Sequence, residues 1–157
     1  MSKGFYSAQA GHWVPLLYPV DETGGKTLKA FSMATYAHAS IMLMIGVSAA
    51  APGAITVNAC TDAAGDNPTA IGFNLFKGET TDTDTLGART AVTSAGYTPP
   101  ATDKIFYVIE IDASELPAGS PYIQVVEADT ANSVIASAAA LLTGGRQVAD
   151  QSPTVLA

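Results

Sequence analysis

A chain of 157 residues fits one domain, long enough to bury about two-thirds of its unfolded surface without disulfides or metals. Charged residues make up only 13% of it, roughly half the share an ordinary soluble domain carries, while hydrophobic residues reach 48%. Seven basic against fourteen acidic residues give a net charge of −7, which repels a nucleic-acid backbone and an anionic membrane surface alike, so neither is an expected partner.

A surface so poor in charge suits contact with neighbouring subunits better than solitary solvation, and a homo-oligomer is expected. The single Cys60 has no partner for an internal disulfide, and the small and apolar residues around it in "AITVNACTD" read as a buried strand thiol. The opening "MSKGFYSAQAGHWVP" has a lysine but no continuous apolar run after it, so no signal peptide is expected there. From Ala30 to Thr61 the chain holds no Asp, Glu, Lys or Arg, yet Pro52, Gly53 and the polar Ser40, Ser48 and Asn58 break that run. Two strands joined by an Ala-Pro-Gly turn account for it better than a membrane span.

In chain order, residues 1–11 carry no sustained period and are expected to form an arm. A first strand follows at about His12 to Tyr18, with Pro15 pointing to a sheet edge because proline cannot donate to a ladder. After the turn "VDETGGKT" come "LKAFSM" and "HASIMLMIGV", the second expected to be central. In it Ala39, Ile41, Leu43, Ile45 and Val47 share one face, and His38, Ser40, Met42, Met44 and Gly46 the other. "ITVNACTD", the turn formers "AAGDNP" and "TAIGFNLFKG" have the grammar of a hairpin. The acidic, threonine-rich loop from Glu79 to Gly87 precedes the strands "ARTAVTS" and "KIFYVIEID". "ASEL" then predicts a single turn with Leu116 tucked under it, Pro117 and Gly119 end that turn, and Tyr122 re-enters a strand. "SVIASAAALLTGG" is rich enough in alanine for a helix, but Ser133, Val134, Ile135 and the closing glycines favour a last strand. The final residues form an extended tail carrying Val148, Val155 and Leu156. Eight to nine short strands without crossover helices predict an all-β, single-domain antiparallel β-sandwich or jelly-roll-like barrel, with an arm at 1–11, the sandwich at 12–145 and a tail at 146–157.

The chain contains no G-x-S-x-G, H-E-x-x-H, P-loop or paired C-x-x-C, and no enzyme activity, cofactor or metal is expected. His12 and His38 are assigned structural or interface roles. The acidic residues Glu79, Asp82 and Asp84, and likewise Asp62 and Asp66, lack the spacing of a calcium loop and read as solvated surface. Trp13, Tyr18 and Tyr36 would be the candidates for a sugar platform, although aromatics at strand ends are more often core or interface. Asp112 and Glu115 look like a solvated corner between sheets.

From about Trp13 to Arg146 the order "TGGKT", "YAHASIMLMIG", "ITVNACTDAAGDNPTAIGF", "YVIEIDASELPAGSPYIQVVEAD" and "SVIASAAALLTGGR" resembles the capsid decoration, or cement, proteins of tailed bacteriophages. The resemblance implies a β-rich virion protein with no catalytic residues to carry over. It further implies many copies, bound to the major capsid protein on the outer shell after assembly in the host cytoplasm, often clustered about local symmetry axes, a trimer being one such arrangement. The apolar and aromatic residues of the two ends, Phe5, Tyr6, Trp13, Val148, Val155 and Leu156, are the expected subunit or capsid contacts. A neck or tail adaptor and a carbohydrate-binding attachment module are the alternative readings.

Overall fold

The computed structural model describes residues 6–145. The expectations for Phe5, Val148, Val155 and Leu156 lie outside these residues. After a single helical turn, α1 (Ser7–Ala10), the described chain forms eleven strands: β1 (His12–Asp21), β2 (Lys26–Thr27), β3 (Phe31–Ser32), β4 (His38–Ser48), β5 (Ile55–Cys60), β6 (Thr69–Ile71), β7 (Phe73–Lys77), β8 (Thr90–Val92), β9 (Ile105–Asp112), β10 (Tyr122–Glu127) and β11 (Val134–Thr143). No helix among the described residues is long and apolar enough to cross a membrane.

The strands make two antiparallel sheets, one of six strands in the order β1-β11-β4-β9-β7-β8 and one of five, in which β2 and β3 both pair with β10, followed by β5 and β6. The all-β sandwich read from the sequence is the observed fold, with two or three more strands than expected: β2 lies in the segment read as a turn, and the segment "TAIGFNLFKG" is divided at Gly72 into β6 and β7. Strand β1 lies at the edge of the six-stranded sheet, as Pro15 requires, and its ladder with β11 slips twice, between Pro15 and Leu17 and between Leu17 and Val20. The alanine-rich segment is the strand β11, not a helix.

Alternation builds the core. Ala39, Ile41, Leu43 and Ile45 of β4, and Ile105, Tyr107, Ile109 and Ile111 of β9, face Ile55, Val57 and Ala59 of β5 and Ile123 and Val125 of β10, all buried in one cluster or beside it. Burying each large aliphatic side chain stabilises the sandwich by about 1.5–3 kcal/mol before ordering costs. Cys60 belongs to this interior, and burial, with Asp62 and Asp66 behind it, pushes its thiol pKa up. Val47 does not follow the rest of its strand. Ala136 pairs with Ile45 and Val134 with Ser48, so Gly46 and Val47 together oppose the single Ile135. This β-bulge turns Val47 out of the core and leaves it 64% exposed.

The predicted corner is a 3₁₀ turn at Ala113–Glu115, in which the Glu115 carboxylate accepts the Asp112 N–H at 3.0 Å, and Leu116 packs against the core beneath it. At the opposite end of the sandwich the loops approach closely. A β-carbon on Gly53 would stand 1.8 Å from the Ala128 carbonyl oxygen, beside the hydrogen bond from the Ala128 N–H to the Ala54 carbonyl at 2.9 Å. Gly53→Ala is therefore expected to cost about 3 kcal/mol, by overpacking and by parting that bond. Gly24→Ala, where φ is +87° but no atom lies within 4 Å, should cost only about 1 kcal/mol of backbone strain. Urea denaturation of the two variants, compared at equal m-values, checks the order.

Candidate functional site

The two outer faces of the sandwich differ in chemistry. On the five-stranded sheet the outward positions of β5 and β10 include Thr56, Asn58 and Gln124, polar groups suited to water. On the six-stranded sheet the same alternation presents hydrocarbon. Pro15, Ala139, Met42, Val108 and Phe76 lie in one register row across β1, β11, β4, β9 and β7. The adjacent row joins Ser137, Met44 and Phe106. Met44, Ile135 and the bulged Val47 are 47%, 40% and 64% exposed. A groove of about 350 Å³ runs among Pro19, Met44, Gly46, Phe106 and Ile135, and its charged lining residues are Asp82 and Lys104, paired at 3.3 Å. These rows make the outward face of the six-stranded sheet more apolar than that of the five-stranded one.

The register that aligns these rows also assembles a polar cluster at their far end. His38 opens β4, directly opposite Asp112 on β9, with Ser40 opposite Glu110. The imidazole Nδ1 lies 2.8 Å from Asp112 Oδ1 and Nε2 lies 2.5 Å from Glu110 Oε2, which also accepts the Ser40 hydroxyl at 2.6 Å. Burial works against the charged imidazole, but the hydrogen bonds and negative charges of Asp112 and Glu110 outweigh it and hold its pKa above the ordinary histidine value. The arrangement clamps β4 to β9 and is not a nucleophile triad, because Ser40 donates to Glu110 and both ring nitrogens are engaged by carboxylates. Among the described residues no group of three or more His, Cys, Asp or Glu is arranged to hold a metal ion.

A second acidic pair lies inside the sandwich. Glu22, in the turn after β1, and Glu127, the last residue of β10, are 0% and 1% exposed, and their carboxyl groups are neighbours close enough to interact. No described donor bonds to any of their four oxygens. Since two carboxylates have no proton to share, that contact is a hydrogen bond only while one of them is protonated. Burial raises both pKa values; the interaction with Glu22 adds to the rise at Glu127, to about 9, whereas the interaction with Glu127 works against the rise at Glu22.

Of the residues singled out in the sequence, Trp13 and Tyr6 are exposed, at 42% and 63%. Trp13 is paired in register with Leu141 at the edge of the apolar face. The three-aromatic platform is not assembled: Tyr36 is buried and stacks on His12 at 5.7 Å, and Tyr18 stands about 16 Å along β1 from Trp13 at strand rise. Sequence reasoning missed Glu110 and Asp112 as partners of His38. Their period-two spacing at the end of one strand and the histidine at the start of another are the available signals, but only the pairing register joins them.

No protein-family model matches the chain, and no curated protein matches it. Among solved structures the SPBc2 prophage-derived protein YomS is similar over 83% of this chain and 94% of its own, at 15% identity and a TM-score of 0.44. At that identity and score the likeness carries no functional argument.

The His38 clamp has a definite sign in pH. With its pKa raised in the folded state, His38 contributes stability that is fully present below the unfolded value of about 6.5 and is lost as pH rises through the folded value. Thermal melts of the wild type and His38→Gln between pH 5 and 9 should show the wild-type advantage largest at the acid end and shrinking through the neutral range and above.

Proposed function

We propose that this chain is a non-enzymatic structural protein of a tailed-phage virion that binds the outer capsid shell and stabilises it. The observation that carries the reading is the apolar outward face of the six-stranded sheet, a contact surface on a molecule with few charges to keep it soluble alone. The order of segments resembling capsid decoration proteins supports the same assignment. The partner in this reading is the major capsid protein, with a second copy of the chain across the remaining contact, a trimer suiting a local three-fold axis.

The physical work would be adhesive. At about 25 cal/mol per Å², a few hundred Å² of apolar contact per copy contributes several kcal/mol before ordering costs, and repetition over a shell multiplies it. The acidic net charge of −7 would keep decorated particles from adhering to one another and to free nucleic acid. Trp13 and Tyr6 extend the contact surface at the β1 end.

Quantitative mass spectrometry of purified particles tests the reading. A copy number comparable to that of the most abundant shell protein is expected, whereas a few copies per particle would move the chain to the neck or tail, and absence from particles would overturn the proposal. Met44→Glu, a change on the exposed face away from the core, should leave the melting temperature within a few degrees and lower particle occupancy at least tenfold.

A further inference from the structure

The Glu22–Glu127 pair joins parts of the two sheets. Glu22 follows β1, and its N–H donates to the Val134 carbonyl of β11 at 2.8 Å, both in the six-stranded sheet. Glu127 ends β10 in the five-stranded sheet, opposite Ile55 on β5 and Lys26 on β2. Between them the turn at Glu22–Gly25, closed by the Gly25 N–H to the Glu22 carbonyl at 2.7 Å, lies so close to β10 that a β-carbon on Gly25 would stand 2.9 Å from the Glu127 carbonyl oxygen and 2.8 Å from the Asp129 nitrogen.

The surrounding charges neither neutralise the pair nor take over its proton. Lys26 attracts from β2 without a hydrogen bond to either carboxyl, and Asp21 on β1 repels. Asp21 itself is held at about 2 by the Ser133 hydroxyl and by the N–H and hydroxyl of Thr23. Asp129 is committed to the Gly24 and Ala131 N–H groups at 3.1 and 2.7 Å. The faces of β5 and β11 toward the pair supply Ile55 and Val134, and the buried Tyr107 hydroxyl of β9 has no hydrogen-bond partner among the described residues.

We propose that Glu22 and Glu127 form a proton-operated latch, in which one shared proton ties the two sheets together at this end and its loss opens the Glu22–Gly25 turn from the segment after β10. Deprotonated, the pair is two adjacent negative charges in a dry site with no cation in contact, and the least costly relief is for the turn to move and admit water. The sign follows from linkage. The folded state binds the proton more tightly than the unfolded chain, so the latch is fully closed below the ordinary glutamate value of 4.5 and its stabilisation is lost as pH rises toward the folded value.

The test uses the full chain. Carbon-13 NMR of glutamate-labelled protein, with the two carboxyl resonances assigned through Glu22→Gln and Glu127→Gln, should show at least one of them titrating well above the ordinary range. In urea denaturation between pH 5 and 9, the wild-type unfolding constant should rise relative to that of Glu127→Gln by up to about tenfold per pH unit, the slope of a single differential proton. Amide exchange at Gly25 and Ala128, corrected for intrinsic rates, should lose protection over the same interval. Ordinary titration of both carboxyls, a pH profile identical in the wild type and Glu127→Gln, or exchange protection independent of pH would each overturn the latch. The wild-type titration and exchange decide the matter even if neither variant folds.

Discussion

The register of β4 against β9 is the constraint on which the rest of the molecule depends. Leu43 stands opposite Tyr107 on the inside, Met42 opposite Val108 on the outside, and His38 opposite Asp112 at the end. A slip of one residue would turn the buried set of one strand to solvent and carry the outer row of hydrocarbon into the core. The same slip would separate the histidine from its two carboxylates. Core, apolar outer face and polar clamp are thus specified by one alignment, and the clamp resists the slip that would dissolve all three.

The division of labour between the two sheets follows from which faces meet water. Threonine, asparagine and glutamine on the outside of β5 and β10 let the five-stranded sheet stand in solvent. The six-stranded sheet carries methionine, phenylalanine and valine in the equivalent positions, where an isolated domain gains nothing from them. Such a surface lowers solubility in proportion to its area, and a chain with 13% charged residues has little with which to offset it. The asymmetry gives the molecule one polar outer face and one apolar one, the difference on which the proposed attachment to a larger body rests.

Much of this was legible from alternation and punctuation. The edge position of β1 follows from Pro15, the central place of β4 from its unbroken apolar face, and the corner at Ala113–Glu115 from the residues that close it. Period two states which face a residue takes but not which strand lies beside it. The His38 cluster was therefore invisible: its members are more than seventy positions apart, and nothing local distinguishes Glu110 from any solvated glutamate. The bulge at Gly46 and Val47 escaped for the same reason, since an extra residue in one strand is defined only by its partner. Glu22 and Glu127 read as ordinary acids of a turn and a strand end, because burial of a charge is decided by how loops fold over it. The two-residue β2 was too short to carry a period, and the break at Gly72 that separates β6 from β7 does not interrupt the alternation that the sequence shows.

The edges of the two sheets have a consequence for what this protein cannot become. At one edge of the six-stranded sheet β1 is interrupted by Pro15 and Pro19 and by two slips in its ladder, and at the other β8 is three residues long. The outer strands of the second sheet, β2, β3 and β6, span two, two and three residues. None offers the long, regular row of free N–H and C=O groups on which a foreign strand could template itself. A β-sandwich with an apolar outer face and few charges would otherwise be a candidate for cross-β growth. At these edges backbone recognition is denied and only side-chain recognition remains, so contact through the apolar face would not by itself seed fibres.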